Sequence, residues 1–140
     1  MTADRTGDFG VAVVVLSSAG QVLLHLRDDD PEIAWPGHWS LISGLAEPGE
    51  TPLQAMEREL AEETGLALPL TQQLEYPPGP DGGGVVVFTA RWDGDAAALP
   101  LTEGVRLQWH PPDAVKVLRV PPWVHHAVLA LTLREGPTAS

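Results

Sequence analysis

Three glutamates stand close together in one short stretch of the chain. Glu59, Glu62 and Glu63 have the spacing i, i+3 and i+4, which places their side chains on one face of a helix. Like charges at these positions repel each other, so the arrangement is unfavourable unless cations lie between the carboxylates. Mg²⁺ prefers oxygen ligands, which carboxylates supply. The spacing therefore predicts a divalent-metal site, and the alternative is a solvated acidic helix face.

Capping residues on both sides of the glutamates predict the helix that carries them. Thr51 is a good N-cap, Pro52 suits the first helical position, and Gln54 completes the spacing of a capping box. Gly65 supplies the C-terminal stop. The apolar residues of this helix form a neighbouring stripe, which we expect to pack on a sheet. They are Leu53, Met56 and Leu60.

Strand patterns surround this helix and favour an α/β fold. A second helix is predicted over 123–134, and the predicted strands are 9–16, 22–27, 39–43, 72–76, 85–92 and 106–110. The segments between them, including 28–37 and 44–50, are predicted loops. Strands interleaved with two helices indicate helices packed on a mixed sheet, and we expect one domain over 1–140.

The segment from Gly44 to Leu66 resembles the Nudix box, whose pattern is G-x5-E-x7-R-E-U-x-E-E-x-G-U, with U a bulky aliphatic residue. Every specified position is matched. The matching residues are Gly44, Glu50, Arg58, Glu59, Leu60, Glu62, Glu63, Gly65 and Leu66. The family usually has two glycines at the start of the box, whereas this chain has Ser43 before Gly44. The resemblance implies the Nudix α/β/α sandwich, in which a mixed sheet packs against the box helix and a C-terminal helix.

The resemblance also implies a metal-dependent hydrolase of nucleoside diphosphates linked to another group X. Glu59 and Glu63 would be the principal metal ligands, Glu62 would join them directly or through water, and the Gly44 carbonyl would be a further ligand. Mg²⁺ is the implied cofactor, with Mn²⁺ as a substitute. The cation would neutralise charge that grows on the leaving oxygen and lower the pKa of a bound water.

Arg58 and Glu50 would support these ligands. Arg58 does not deprotonate, so it would orient the glutamates through bidentate hydrogen bonds and count among the catalytic residues. Glu50 would hold that arginine or its loop without touching the metal.

A carboxylate outside the box, Glu103, is a further catalytic candidate. Nudix enzymes often add a downstream acidic residue that faces the box helix, as a metal ligand or as the base that activates water. Glu103 precedes the predicted strand 106–110, and Gly104 would let the backbone turn toward the site. Gln108 stands where some relatives carry a glutamate, but an amide cannot act as a base. The alternative for Glu103 is a solvated loop residue.

Substrate contacts are expected on the sheet strands and on the loop that follows the second strand. A nucleobase needs an aromatic platform, although buried aromatic rings more often serve the core. The candidates are Phe9, His25, Arg27, Trp35, Trp39 and Phe88. Asp28–Asp30 and His125–His126 are weaker candidates, because acidic runs and surface histidines are common. Pro80 lies near a proline position of nucleotide-sugar hydrolases.

The composition limits the classes of function. Eight Lys and Arg against 19 Asp and Glu give a net charge of −11, which argues against nucleic-acid partners and against a basic membrane surface. The absence of cysteine excludes disulfides and thiolate chemistry. The N-terminal residues do not resemble a signal peptide, and the longest apolar run, Val11–Leu16, is too short to span a bilayer. We therefore expect a cytoplasmic monomer or homodimer.

The favoured function is Mg²⁺-dependent hydrolysis of a nucleoside triphosphate to a monophosphate and pyrophosphate, as in short MutT-like members of the family. ADP-ribose or another nucleotide sugar is the alternative substrate. A Nudix-fold regulatory domain that binds a nucleotide without cleaving it is the non-enzymatic alternative, and the intact box argues against it. The base and the group X are left open by the sequence.

Overall fold

The computed structural model describes residues 9–78, 83–100 and 104–135, without the side chains of 133–135. The strands are β1 Gly10–Leu16, β2 Val22–Leu26, β3 Trp39–Ser40, β4 Ile42–Leu45, β5 Thr71–Tyr76, β6 Val85–Arg91 and β7 Arg106–His110. The helices are α1 Pro52–Thr64 and α2 Pro122–Glu135, and Ala96–Ala98 and Pro112–Lys116 form short 3₁₀ helices. No helix in these ranges is both long enough and apolar enough to cross a membrane.

β1 lies at the centre of the sheet because both of its faces are apolar. Every residue from Val11 to Leu16 is buried, which is typical of a strand covered on both sides. β1 pairs in parallel with β6 and antiparallel with β4, and β5 extends the sheet beyond β6. β2 meets β1 only where Val22 lies opposite Leu16, and then pairs with β3 and β7.

The two helices cover opposite faces of β1. Successive side chains of a strand point to opposite sides of the sheet. Val11 and Val13 belong to the same buried cluster as Leu60 of α1, whereas Ala12 and Val14 pack with α2. The predicted α/β/α sandwich with a mixed sheet is therefore confirmed.

The prediction of a single strand over 39–43, followed by a loop from 44, is wrong. The chain pairs with β2 as β3 and then, after Leu41, with β1 as β4. β1 and β2 pair over only one position, so a segment that serves both must change partner part-way along. As a result Gly44 is held in a strand, opposite Val11.

Local signals define α1 as expected, with one correction to its apolar stripe. The Thr51 hydroxyl accepts the Gln54 N–H at 3.1 Å, and the Gln54 side chain accepts the Thr51 N–H at 2.9 Å. Gly65 closes the helix in the left-handed region, with φ 77°. Leu53 is 44% exposed, so it does not belong to the buried stripe. The small Ala55 takes that place in the core beneath α1.

Candidate active site

Arg58 lies at the centre of the acidic cluster, and acceptors surround all five of its N–H groups. Nε and Nη2 donate to the two carboxylate oxygens of Glu50, at 2.7 and 2.9 Å. Nη1 donates to Glu59 at 3.1 Å and to Glu62 at 3.2 Å. Nη2 also donates to the Leu45 carbonyl at 3.0 Å. The planar guanidinium therefore joins the end of β4, the loop before α1, and α1 itself.

Glu50 anchors the loop that precedes α1. Besides its two bonds from Arg58, its carboxylate accepts the backbone N–H of Glu47 at 2.7 Å. The hydrogen bond from Arg58, followed by that backbone bond, lowers the pKa of Glu50 from 4.5 to about 2. The same pairing raises the pKa of Arg58 above its ordinary value. The resemblance to the Nudix box implied that Glu50 holds Arg58 or its loop, and both contacts are present.

Glu59 lies directly over the backbone of Gly44. A Cβ atom at position 44 would overlap the Glu59 carboxylate, so only glycine leaves room for it. This requirement is spatial, because Gly44 does not have a positive φ. Ser43 precedes Gly44 in β4 and is paired with Ala12. Two of the predicted metal ligands, Gly44 and Glu59, are thus brought together.

The other two glutamates of the predicted triad differ in exposure. The Glu62 side chain is 57% exposed, whereas Glu63 is 8% exposed. Within the described ranges, no three acidic or histidine side chains form a ready-made metal cluster. The assignment of Glu59, Glu62 and Glu63 as metal ligands therefore stays a prediction. Nη1 of Arg58 bonds to both Glu59 and Glu62 and so holds these two carboxylates near each other.

The charge and the donor atoms of the site nevertheless suit a divalent cation. Four carboxylates lie within 3.8 Å of one guanidinium, which leaves a local net charge of −3. These carboxylates belong to Glu47, Glu50, Glu59 and Glu62. All the donors are oxygen atoms, which Mg²⁺ and Mn²⁺ prefer. A phosphate could not approach this charge without a cation between the two.

Several residues predicted to contact substrate serve the core instead. Phe9 and Phe88 are 3% and 1% exposed and lie in the cluster beneath α1. In this arrangement neither ring presents a surface on which a base could stack. His25 is also buried, and a Cβ on Gly104 would overlap its imidazole. His25 therefore packs against the turn that leads into β7.

The remaining predicted contacts lie in or beside the loop between β2 and β3. Nε of Arg27 donates to the Ala34 carbonyl at 2.8 Å, so this side chain holds the loop. The Trp39 ring meets His110 edge to face, with centroids 4.6 Å apart, and packs on the α2 side. Trp35 is 43% exposed. Of these residues, Trp35 alone presents a large free surface.

The weaker candidates have structural contacts or lie outside the described residues. The Asp30 side chain accepts the Glu32 N–H at 2.9 Å, so the acidic run 28–30 shapes its own loop. His126 lies on α2, on the side of the sheet opposite α1, and is hydrogen-bonded to the Tyr76 hydroxyl of β5. Pro80 and Glu103 lie outside the described residues. Gly104, beside Glu103, has φ 84°, in the left-handed region that favours glycine.

Sequence reasoning missed two partners of Arg58 and one cavity. The Leu45 carbonyl has no signature in the sequence, because any residue could supply it. Glu47 is an acidic residue three positions before Glu50, so the sequence could have suggested it as a further partner of Arg58. A cavity of about 600 Å³ lies between residues 95–99 and β7. Gln108 lines this cavity, and the described lining includes no residue of the Nudix box.

Comparisons with known proteins identify the family to which this fold belongs. The family model of the NUDIX domain matches residues 8–131. The chain belongs to the Nudix family. A Nudix relative from Bacillus subtilis, provisionally named an 8-oxo-dGTP diphosphatase, is 31% identical over 80% of this chain and 72% of its own length. The chain spans only 9% to 36% of the first curated relatives that it matches.

Solved structures share the Nudix fold at low identity. The E. coli dihydroneopterin triphosphate pyrophosphohydrolase is 20% identical, with a TM-score of 0.73 over 93% of this chain and 99% of that one. The NUDIX domain of Shewanella oneidensis NrtR, solved with ADP ribose, is 22% identical, with a TM-score of 0.69 over 95% of this chain and 90% of that one. Such identities establish the fold alone.

The close approach of Glu59 to Gly44 makes a testable prediction about Gly44→Ala. The added methyl group should push the Glu59 carboxylate aside and lower the affinity for Mn²⁺ about tenfold, since the end of a flexible side chain can move. The thermal unfolding midpoint should change little. Ser43→Ala is the matched control on the same strand and should leave Mn²⁺ affinity unchanged. Equal affinities in both variants would show that Glu59 needs no room at Gly44 to bind the ion.

Proposed function

We propose that this Nudix protein hydrolyses the diphosphate bridge of a nucleotide with the help of Mg²⁺. The observation that carries the proposal is the acidic cluster around Arg58, in which Glu59 lies over the Gly44 backbone and four carboxylates face one guanidinium. Nudix hydrolases generally use divalent metal ions. Glu59, Glu62, Glu63 and the Gly44 carbonyl would hold the ion.

The chain's own residues would act by placement and charge. A bound divalent ion supplies neutralisation of the developing phosphate charge and a lowered pKa for the attacking water. Arg58 fixes the directions of Glu59 and Glu62, and Glu50 fixes Arg58 through two bonds. The base that takes the proton from water is proposed to be Glu103, with a box glutamate as the alternative.

The preferred substrate is a nucleoside triphosphate, which would yield a monophosphate and pyrophosphate. The provisional name of the Bacillus subtilis relative, a nucleoside triphosphate diphosphatase, supports this choice. ADP-ribose is the second candidate, because the Shewanella NUDIX domain of the same fold was solved with it. Comparing the release of pyrophosphate from triphosphates with the release of AMP from ADP-ribose would separate the two.

Hydrolysis should stop when divalent cations are removed. The site has a net charge of −3 around Arg58, so an anionic substrate should be repelled from the bare protein. We expect excess EDTA to abolish the formation of nucleoside monophosphates from a panel of nucleotides, and added Mg²⁺ or Mn²⁺ to restore it. Glu57→Gln, which changes an exposed glutamate of the same helix, should respond as the wild type does. Full turnover in excess EDTA would refute a metal-dependent mechanism.

A further inference from the structure

Trp35 combines two unusual features within the described residues. It is the one aromatic side chain of Phe, Trp or Tyr type that is exposed, at 43%. It is also the one residue other than glycine with a positive φ, at 53°. This conformation is unfavourable for a bulky residue and is usually retained for a function.

The other aromatic rings are already engaged with neighbours. Trp92 stacks on Trp109, with centroids 5.9 Å apart, and Trp39 meets His110. Tyr76 contacts Trp123 edge to face. The two phenylalanines are buried in the core. An incoming planar ligand would therefore find an exposed ring only at Trp35.

Hydrogen bonds hold the loop that presents Trp35. The Arg27 N–H donates to the His38 carbonyl at 2.9 Å, and the Gly37 N–H donates to the Asp28 carbonyl at 2.9 Å. Nε of Arg27 closes the loop by donating to Ala34, the residue before Trp35. The loop is thus prearranged around an exposed ring, which lowers the entropy cost of binding a ligand there.

His38 supports the ring from one side. Its imidazole meets the Trp35 indole edge to face, with centroids 5.4 Å apart. Its Nδ1 donates to the Pro36 carbonyl at 2.8 Å, which fixes the imidazole beside the indole, while Trp35 stays 43% exposed. This arrangement suits a flat ligand stacked on Trp35.

Charge decides which part of a nucleotide would lie here. Asp28, Asp29 and Asp30 outnumber the two cations beside this loop, Arg27 and Arg119, so its net charge does not favour phosphate groups next to Trp35. The loop leads through β3 into β4, where Gly44 meets Glu59. Trp35 and Gly44 are nine residues apart, which is at most about 32 Å of extended chain. We propose that Trp35 is the platform on which the base of the nucleotide stacks, while its phosphates lie at the acidic cluster.

This proposal rests on the proposed function and is tested by variants of Trp35. Trp35→Gly removes the ring and relieves the backbone, so the thermal unfolding midpoint should not fall. We expect KM for ATP, GTP, CTP or UTP to rise about tenfold or more, with kcat within threefold of the wild type. Trp35→Phe keeps a ring and should stay within threefold in KM. Val117→Ser removes an exposed apolar side chain elsewhere and should change neither constant.

Binding without turnover separates the platform from the hydrolase. With Ca²⁺ in place of Mg²⁺, a nucleoside triphosphate should quench indole fluorescence in the wild type and much less in Trp35→Phe. Inorganic tripolyphosphate, which has no base, should quench neither. If the wild type shows this quenching but cleaves no nucleotide, the platform stands and the hydrolase proposal fails. The platform would be overturned by an unchanged KM in Trp35→Gly or by equal quenching in Trp35→Phe. It would also be overturned if Trp35 proved necessary for a dimer and had no effect on KM.

Discussion

Replacing Glu59 by glutamine should lower kcat for nucleotide hydrolysis about a thousandfold at saturating Mg²⁺. A ligand carboxylate helps to hold the cation that stabilises the transition state by several kcal/mol, and each 1.4 kcal/mol is about a tenfold change in rate. The fold should persist, because glutamine has nearly the same shape and removes one charge from a crowded face of α1. Circular dichroism should therefore match the wild type, with an equal or higher unfolding midpoint without metal.

Glu57→Gln is the matched control for this prediction. Glu57 lies on the same helix, two residues away, and is exposed. It should retain wild-type kcat and Mn²⁺ affinity, whereas Glu59→Gln should lose both. Glu63→Gln should behave like Glu59→Gln. If Glu59→Gln kept a kcat within twofold of the wild type, Glu59 would not be a metal ligand.

Local sequence signals were sufficient to predict α1, because its ends depend on neighbouring residues alone. Thr51 and Gln54 cap the first turn of the helix, and Gly65 closes its last turn. These capping contacts are present. The division between β3 and β4 could not be predicted in this way. It depends on two distant partners, β2 and β1, which part after a single paired position.

In the site, likewise, contacts within the box segment could be predicted, whereas contacts that depend on packing between elements could not. The match to the Nudix box implied that Glu50 holds Arg58 or its loop, and the hydrogen bond from Arg58 to Glu50 is present. The position of Glu59 over Gly44 depends on how α1 packs on β4, and no pattern within the helix specifies it. The exposure of Trp35 is likewise a property of the folded loop, since Trp39, four residues later, is packed against His110.

Arg58→Lys should lower kcat or metal affinity about ten- to a hundredfold, although the charge is kept. Mutations of residues that orient metal ligands typically have effects of this size. A lysine ammonium is a compact charge on a flexible stem, and it cannot satisfy five acceptors in one plane as the guanidinium does. The released Glu59 and Glu62 would repel each other and lose their fixed directions.

The pH dependence of stability distinguishes this role from a general loss of fold. In the wild type the pKa of Glu50 is lowered to about 2, so its stabilising contribution is present above 4.5 and is lost as the pH falls from 4.5 toward 2. In Arg58→Lys the pKa of Glu50 should return toward 4.5. The unfolding midpoint should then be lower near neutral pH, and it should fall less on going to about pH 3 than in the wild type. Glu50→Gln is the control, because it removes the titrating group and should flatten the same acid range. A lysine variant with wild-type acid dependence, rate and Mn²⁺ affinity would show that the guanidinium fork does not position the glutamates.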